Sequence, residues 1–109
     1  MFVKKKTVWE DIVSSYTRNP RDVKTVPISR EGVWFYVYVI DGNVFAENAR
    51  SHLENSSNIE NRRRLEKEKA DVMLSLYYRR KRGEKVSQEA RDTTVNQVYW
   101  YGIFADIGL

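Results

Sequence analysis

The sequence contains no cysteine, a single histidine, two prolines and five glycines in 109 residues. Without cysteine there are no disulfides, no thiolate metal sites and no cysteine nucleophile. The composition fits a reducing compartment, and a cytoplasmic protein is the expectation. Long apolar runs are missing too. The longest, Val33-Trp34-Phe35-Tyr36-Val37-Tyr38-Val39-Ile40, has eight residues, against the roughly 20 that a membrane helix needs. Lys4-Lys5-Lys6 is followed by the amphipathic TVWEDIVSSY, not by an apolar stretch that would make a secretory signal. No glycine-rich phosphate loop or G-x-S-x-G elbow occurs, and no cofactor is implied.

The lone histidine, His52, stands in a polar loop with Glu47 and Glu54 merely near it in sequence, and reads as a solvated loop residue. Asp41, Glu47 and Glu54 show no spacing that specifies a metal site or an acid–base pair. A metal-dependent nuclease assembled from scattered Asp, Glu and Lys is a minor alternative, and a non-enzymatic protein is the expectation.

The length suits one domain over 1–109 with a core of its own, a size common among small prokaryotic and phage proteins. Residues 1–6 read as a short basic arm. Thr7-Val8-Trp9-Glu10 is a capping box, and Trp9, Ile12, Val13 and Tyr16 then recur at helical spacing on one face. Asn19-Pro20 ends this first helix. Residues 22–28 read as a short strand, placed at an edge because Pro27 cannot donate to a ladder.

The apolar run 33–40 is the second strand, and Asp41-Gly42 predicts a tight type I′ hairpin returning through residues 43–48. Ser57-Asn58-Ile59-Glu60 is a second capping box, predicting a long helix over 57–82 with Gly83 after its end. Ser87 opens a further helix over 87–101. Residues 95–104 are also rich in β-branched and aromatic types, so helix and strand compete there. The fold class is therefore α+β: a three-stranded antiparallel sheet, from hairpin 33–48 and strand 22–28, packed by an N-terminal and two C-terminal helices. A hairpin followed by a helix resembles, in outline only, many small DNA-binding modules; no RNP-like or zinc-finger pattern accompanies it.

A two-residue turn divides the hairpin into two faces. One carries Val33, Phe35, Val37, Val39, Val44 and Ala46. The other carries Trp34, Tyr36, Tyr38, Ile40 and Phe45. The aliphatic face is a natural seat for helices. The aromatic face is expected to be covered by the first helix through Trp9; left open, it would stack bases or meet a partner.

Charge adds a second candidate. The chain carries 19 Lys and Arg against 15 Asp and Glu, a formal net charge of +4. Residues 57–82 hold nine cations against four anions, so their excess of +5 exceeds that of the whole chain. Arg79-Arg80-Lys81-Arg82 and Lys85 form a basic helix end that can attract phosphates or simply complement the helix dipole. Arg62-Arg63-Arg64 is diluted, on a helix, by Glu66 and Glu68 within i+4 reach, with Asp71 two turns beyond Arg64.

The leading expectation is sequence-tolerant binding of DNA or RNA through Arg79, Arg80, Lys81, Arg82 and Lys85, with Lys4 to Lys6 in support and Trp34, Tyr36 or Tyr38 stacking. The alternative is a protein-interaction module, homodimeric or with another protein as partner, using the aromatic face or the charged helix.

Overall fold

The computed structural model describes residues 6–109; Lys4 and Lys5 of the basic arm lie outside them. Helix α1, Val8–Arg18, begins where the capping box places it, the Thr7 hydroxyl accepting from the Glu10 amide at 3.1 Å. Asn19 closes it, its N–H donating to the Ser15 carbonyl. Strand β1 is Arg21–Lys24, β2 is Trp34–Ile40 and β3 is Asn43–Asn48. Asp41 and Gly42 both take positive φ, 50° and 76°, as a type I′ turn requires. Ile40 then faces Asn43, Val39 faces Val44 and Tyr38 faces Phe45, the register the turn specifies.

The sheet has four antiparallel strands, not three, in the order β1-β2-β3-β4. The fourth, Arg63–Arg64, pairs with Phe45 and Ala46 of β3. It lies inside the segment that the second capping box assigned to a helix. That helix instead starts with a 3₁₀ turn at Lys67–Lys69 and runs as α2 over Ala70–Lys81. Residues 57–66 are drawn out by pairing with the rest of the fold. The Ser57 N–H donates to the Trp34 carbonyl and that of Leu65 to the Val44 carbonyl. The Asn48 amide both accepts from the Ile59 N–H at 2.6 Å and donates to the Ile59 carbonyl at 3.0 Å. These long-range bonds occupy the groups a helix would have used.

Strand β1 is also shorter than expected, ending before Val26. Val23 is its inward residue, and Ile28, beyond Pro27, is exposed.

The helix expected over 87–101 is two: α3, Ser87–Thr93, and α4, Gln97–Asp106. Residues 97–104 of the ambiguous stretch are thus helical. The break falls at Thr94, which is extended (φ −155°, ψ 152°) and buried. Its hydroxyl donates to Glu66 at 2.6 Å and accepts from the Asn96 N–H at 3.0 Å, while the Asn96 side chain donates to the other Glu66 oxygen at 3.0 Å. Tertiary bonds to one carboxylate, at a run of β-branched residues with modest helix propensity, hold the two helices apart.

All the helices lie on one side of the sheet. Ile12, Tyr16, Phe35, Val37, Val44, Met73, Trp100 and Phe104 belong to one contiguous buried core. Helix α1 crosses β2 and β3, and α4 packs on β1. At that crossing Gly102 is necessary: a Cβ there would meet the Lys24 carbonyl at 2.9 Å and the Phe35 ring at 3.0 Å. Tyr16 donates to Asp106 at 2.7 Å and Arg21 donates to the same carboxylate, tying α1, β1 and α4 together. Burial, reinforced by the Asp106 carboxylate, drives the Tyr16 phenol well above its ordinary range.

Candidate nucleic-acid interface

Covering of the aromatic face by α1 does not occur. The buried residues Phe35 and Val37 draw α1 to the opposite side of the sheet, and Trp9 packs at a tilt on Trp100, centroids 6.1 Å apart. Trp34, Tyr36 and Tyr38 are each half-buried, and none belongs to the core cluster. The Tyr36 and Tyr38 rings lie 5.7 Å apart, and Tyr38 stacks on Phe45, its cross-strand partner, at 5.5 Å.

Cations collect on this face. The Arg50 guanidinium lies over Tyr36 at 4.5 Å, and Arg62 lies over Phe45 at 4.2 Å. Lys24, paired with Trp34 across the strands, holds its ammonium 5.7 Å from that ring. Arg64 stands opposite Phe45 in the ladder. Because residues 62–64 are extended rather than helical, the i+4 carboxylates expected to dilute them are out of reach. Among the described residues Arg62, Arg63 and Arg64 form no ion pair. Three anions accompany these cations: Asp22, Glu47, which lies 3.8 Å from Arg50, and Glu31, which lies 3.4 Å from Lys24. Burial, then the Glu47 carboxylate, push the Tyr38 phenol upward against the pull of Arg62.

The segment 49–56 laps over one end of the face, and Asp22 on β1 holds it there. Asp22 accepts the backbone N–H groups of Arg50, Ser51 and His52 at 2.9, 2.8 and 2.9 Å and contacts His52 Nδ1 at 2.9 Å. Burial alone would raise its pKa, but these four bonds outweigh burial and keep the carboxyl below its ordinary value. The returning chain is fixed by Asn55 and Ser57, whose backbones bond both polar groups of Trp34. The loop thereby sets the imidazole of His52 flat on the Trp34 indole, centroids 3.6 Å apart. His52 is not the free loop residue the sequence suggests.

The basic helix end sits in the helical layer, across the sheet from the aromatics. Arg79 grips Glu89 through both terminal nitrogens at 2.9 Å and reaches Glu84 at 3.0 Å, and Arg82 pairs with Glu84 at 3.1 Å. The bonds to Arg79 hold both carboxyls low. Arg80 donates to the Val26 carbonyl and Lys81 to that of Leu109; Lys85 is exposed. The structure thus groups Trp34, Tyr36 and Tyr38 with Lys24, Arg50, His52 and Arg62, and sets the 79–85 cluster apart. Arg50 and His52 were invisible as site residues because only the Asp22 bonds bring their loop over the sheet.

Among the described residues no three His, Asp or Glu side chains gather as a metal would require, and no helix is long and apolar enough to cross a membrane. Comparison with protein-family models, with curated proteins and with solved structures returned no match to the chain.

Proposed function

We propose that the open sheet face binds single-stranded nucleic acid without strong sequence preference. The observation that carries this reading is the Tyr36–Tyr38–Phe45 ladder on the one sheet face that no helix covers, with Arg50 and Arg62 seated on its rings. Bases stack on Tyr36 and Tyr38, and Arg50, Arg62, Arg64 and Lys24 meet the phosphates. Aromatic stacking is tolerant of base identity because every base has a π face.

The strand geometry favours an unpaired partner. Alternate residues on a strand are about 6.6 Å apart, whereas successive bases in a stacked strand rise about 3.4 Å. Bases on neighbouring rings must therefore leave their own stack, which a single strand allows and a duplex resists. The helix end contributes less to this reading than the sheet face, since Arg79 is held by two carboxylates and Arg82 by one, whereas Arg62 and Arg64 on the sheet face pair with none of the described carboxylates and Lys24 and Arg50 only with Glu31 at 3.4 Å and Glu47 at 3.8 Å.

Fluorescence anisotropy of a labelled single-stranded oligonucleotide tests it. Three or four phosphate contacts give a slope of log affinity against log salt of about −2 to −3, and a duplex of the same sequence competes weakly. Absence of binding at low ionic strength would refute the proposal.

A protein-interaction surface is the second reading, supported by Ile40 and Leu53, 45% and 71% exposed, which add apolar area on the strand and the lapping loop of this same region. Light scattering separates the two: a concentration-independent mass of 12.9 kDa removes the homodimer.

A further inference from the structure

The His52 side chain is bonded through one nitrogen only. Its Nδ1 sits 2.9 Å from the buried Asp22 carboxylate. A carboxylate only accepts, so in the neutral imidazole Nδ1 carries the hydrogen and Nε2 the lone pair. Nε2 bonds no group among the described residues, and the side chain is 47% exposed. Three backbone bonds to Asp22 already hold the loop. The fourth, to the side chain, fixes the tautomer and, with the Trp34 indole against the ring, its direction. A buried carboxylate behind one imidazole nitrogen, with the other unbonded, is what orients a histidine as a general base.

We propose that the open face also cleaves RNA, which presupposes that it binds single strands, and that His52 Nε2 is the general base that activates a 2′-hydroxyl. Two cations stand beside it. Arg50, two residues back on the same loop, lies over Tyr36 with its side chain exposed. Lys24 holds its ammonium 5.7 Å from the Trp34 ring on which His52 lies. Tyr36 is the next ring along this face, about 6.6 Å from Trp34. The sugar and phosphate of a nucleotide stacked on Tyr36 span that distance and reach His52 and Arg50.

His52 Nε2 takes the 2′-hydroxyl proton, the 2′-oxygen bonds the neighbouring phosphorus, and the bond from phosphorus to the next nucleotide's 5′-oxygen breaks. The Lys24 ammonium gives that oxygen its proton. Arg50 offsets the charge that collects on the unbridged phosphate oxygens. The products are a 2′,3′-cyclic phosphate and a free 5′-hydroxyl, and water carries the proton from His52 back to Lys24. DNA lacks the 2′-hydroxyl, so it binds and is not cut.

Incubation of the full chain with a labelled single-stranded RNA, and with DNA of the same sequence, in the presence of EDTA tests this, binding being followed on the DNA. The RNA should be cut to fragments ending in 2′,3′-cyclic phosphate and the DNA left intact. His52→Ala should slow cleavage by roughly a hundredfold or more while still binding the DNA, and added imidazole should restore part of the loss. His52→Gln, which keeps a donor for Asp22 and supplies no base, should be equally slow, and serves if the alanine variant fails to fold. Equal cleavage by native chain and variants, cleavage of the DNA, or a loss that imidazole does not restore overturns the proposal. DNA bound without any cleavage of RNA overturns it and leaves the binding face standing. No binding of either strand overturns both.

Discussion

The imidazole of His52 lies flat on the indole of Trp34, centroids 3.6 Å apart and planes 11° from parallel, and its Nδ1 sits 2.9 Å from the Asp22 carboxylate. A polar loop is thereby locked onto the sheet by a side chain 30 residues away in sequence. Asp22 is only 3% exposed, and its bonds are what keep the loop in place.

Loss of those bonds should be measurable as acid sensitivity. The Asp22 pKa is lowered in the fold, so its contribution is complete above the unfolded value near 4 and is lost as pH falls below it. Melting temperature followed from pH 6 to pH 2 should fall more steeply for the native chain than for Asp22→Asn. The variant itself should be less stable by about 1–3 kcal/mol at neutral pH, read by urea unfolding. Parallel pH profiles for the two would contradict this role.

The two basic clusters should behave differently in oligonucleotide binding. Arg62→Ala and Arg64→Ala each remove a cation of the sheet face, and each should lower affinity severalfold and reduce the salt slope by about 0.7. Arg79→Ala and Arg82→Ala remove cations already paired with Glu84 and Glu89, and should change affinity less than about twofold. The reverse ranking would return the phosphate contacts to the helix end.

Gly102→Ala tests how closely α4 approaches the sheet. Alanine is the better helix former by about 1 kcal/mol, so an open site would gain stability. Here the new methyl meets the Lys24 carbonyl and the Phe35 ring, and overpacking costs about 1–3 kcal/mol. A lower urea midpoint is expected, and a higher one would show that the crossing has room.

Much of the fold was legible because local chemistry and tertiary packing agree. Thr7 caps α1, and Asp41-Gly42 sets both the hairpin register and the division into faces. The misreadings share one physical cause. Ser57 and residues 87–101 carry helical signals worth about a kilocalorie each, and long-range bonds from Trp34, Asn48, Val44 and Glu66 override them. The site was legible only in part. Alternation alone separates Trp34, Tyr36 and Tyr38 from the aliphatic face. That α1 would choose the aliphatic side, leaving these rings open, depends on how Phe35, Val37 and Trp100 pack. The contribution of Arg50, His52 and Arg62 depends on the Asp22-held loop and on the fourth strand, and neither has a local signature.

The stacking rings need not contribute equally. His52 is tied over Trp34 by its bond to Asp22, whereas Arg50, over Tyr36, has a 61% exposed side chain that can swing from the ring to a phosphate, so Tyr36 and Tyr38 should carry most of the stacking. Trp34→Ala should weaken oligonucleotide binding less than Tyr36→Ala does, in the same titration.

The most direct test is the affinity of a labelled mixed-sequence single strand for the native chain and for the Tyr36→Ala/Tyr38→Ala double variant, at low salt, with folding checked by circular dichroism. Base–aromatic stacking is worth about 1–3 kcal/mol per ring. The account therefore predicts saturable binding that weakens by roughly 30-fold or more in a variant that keeps its secondary structure. Equal affinity in a folded double variant, or no binding by the native chain, would contradict it.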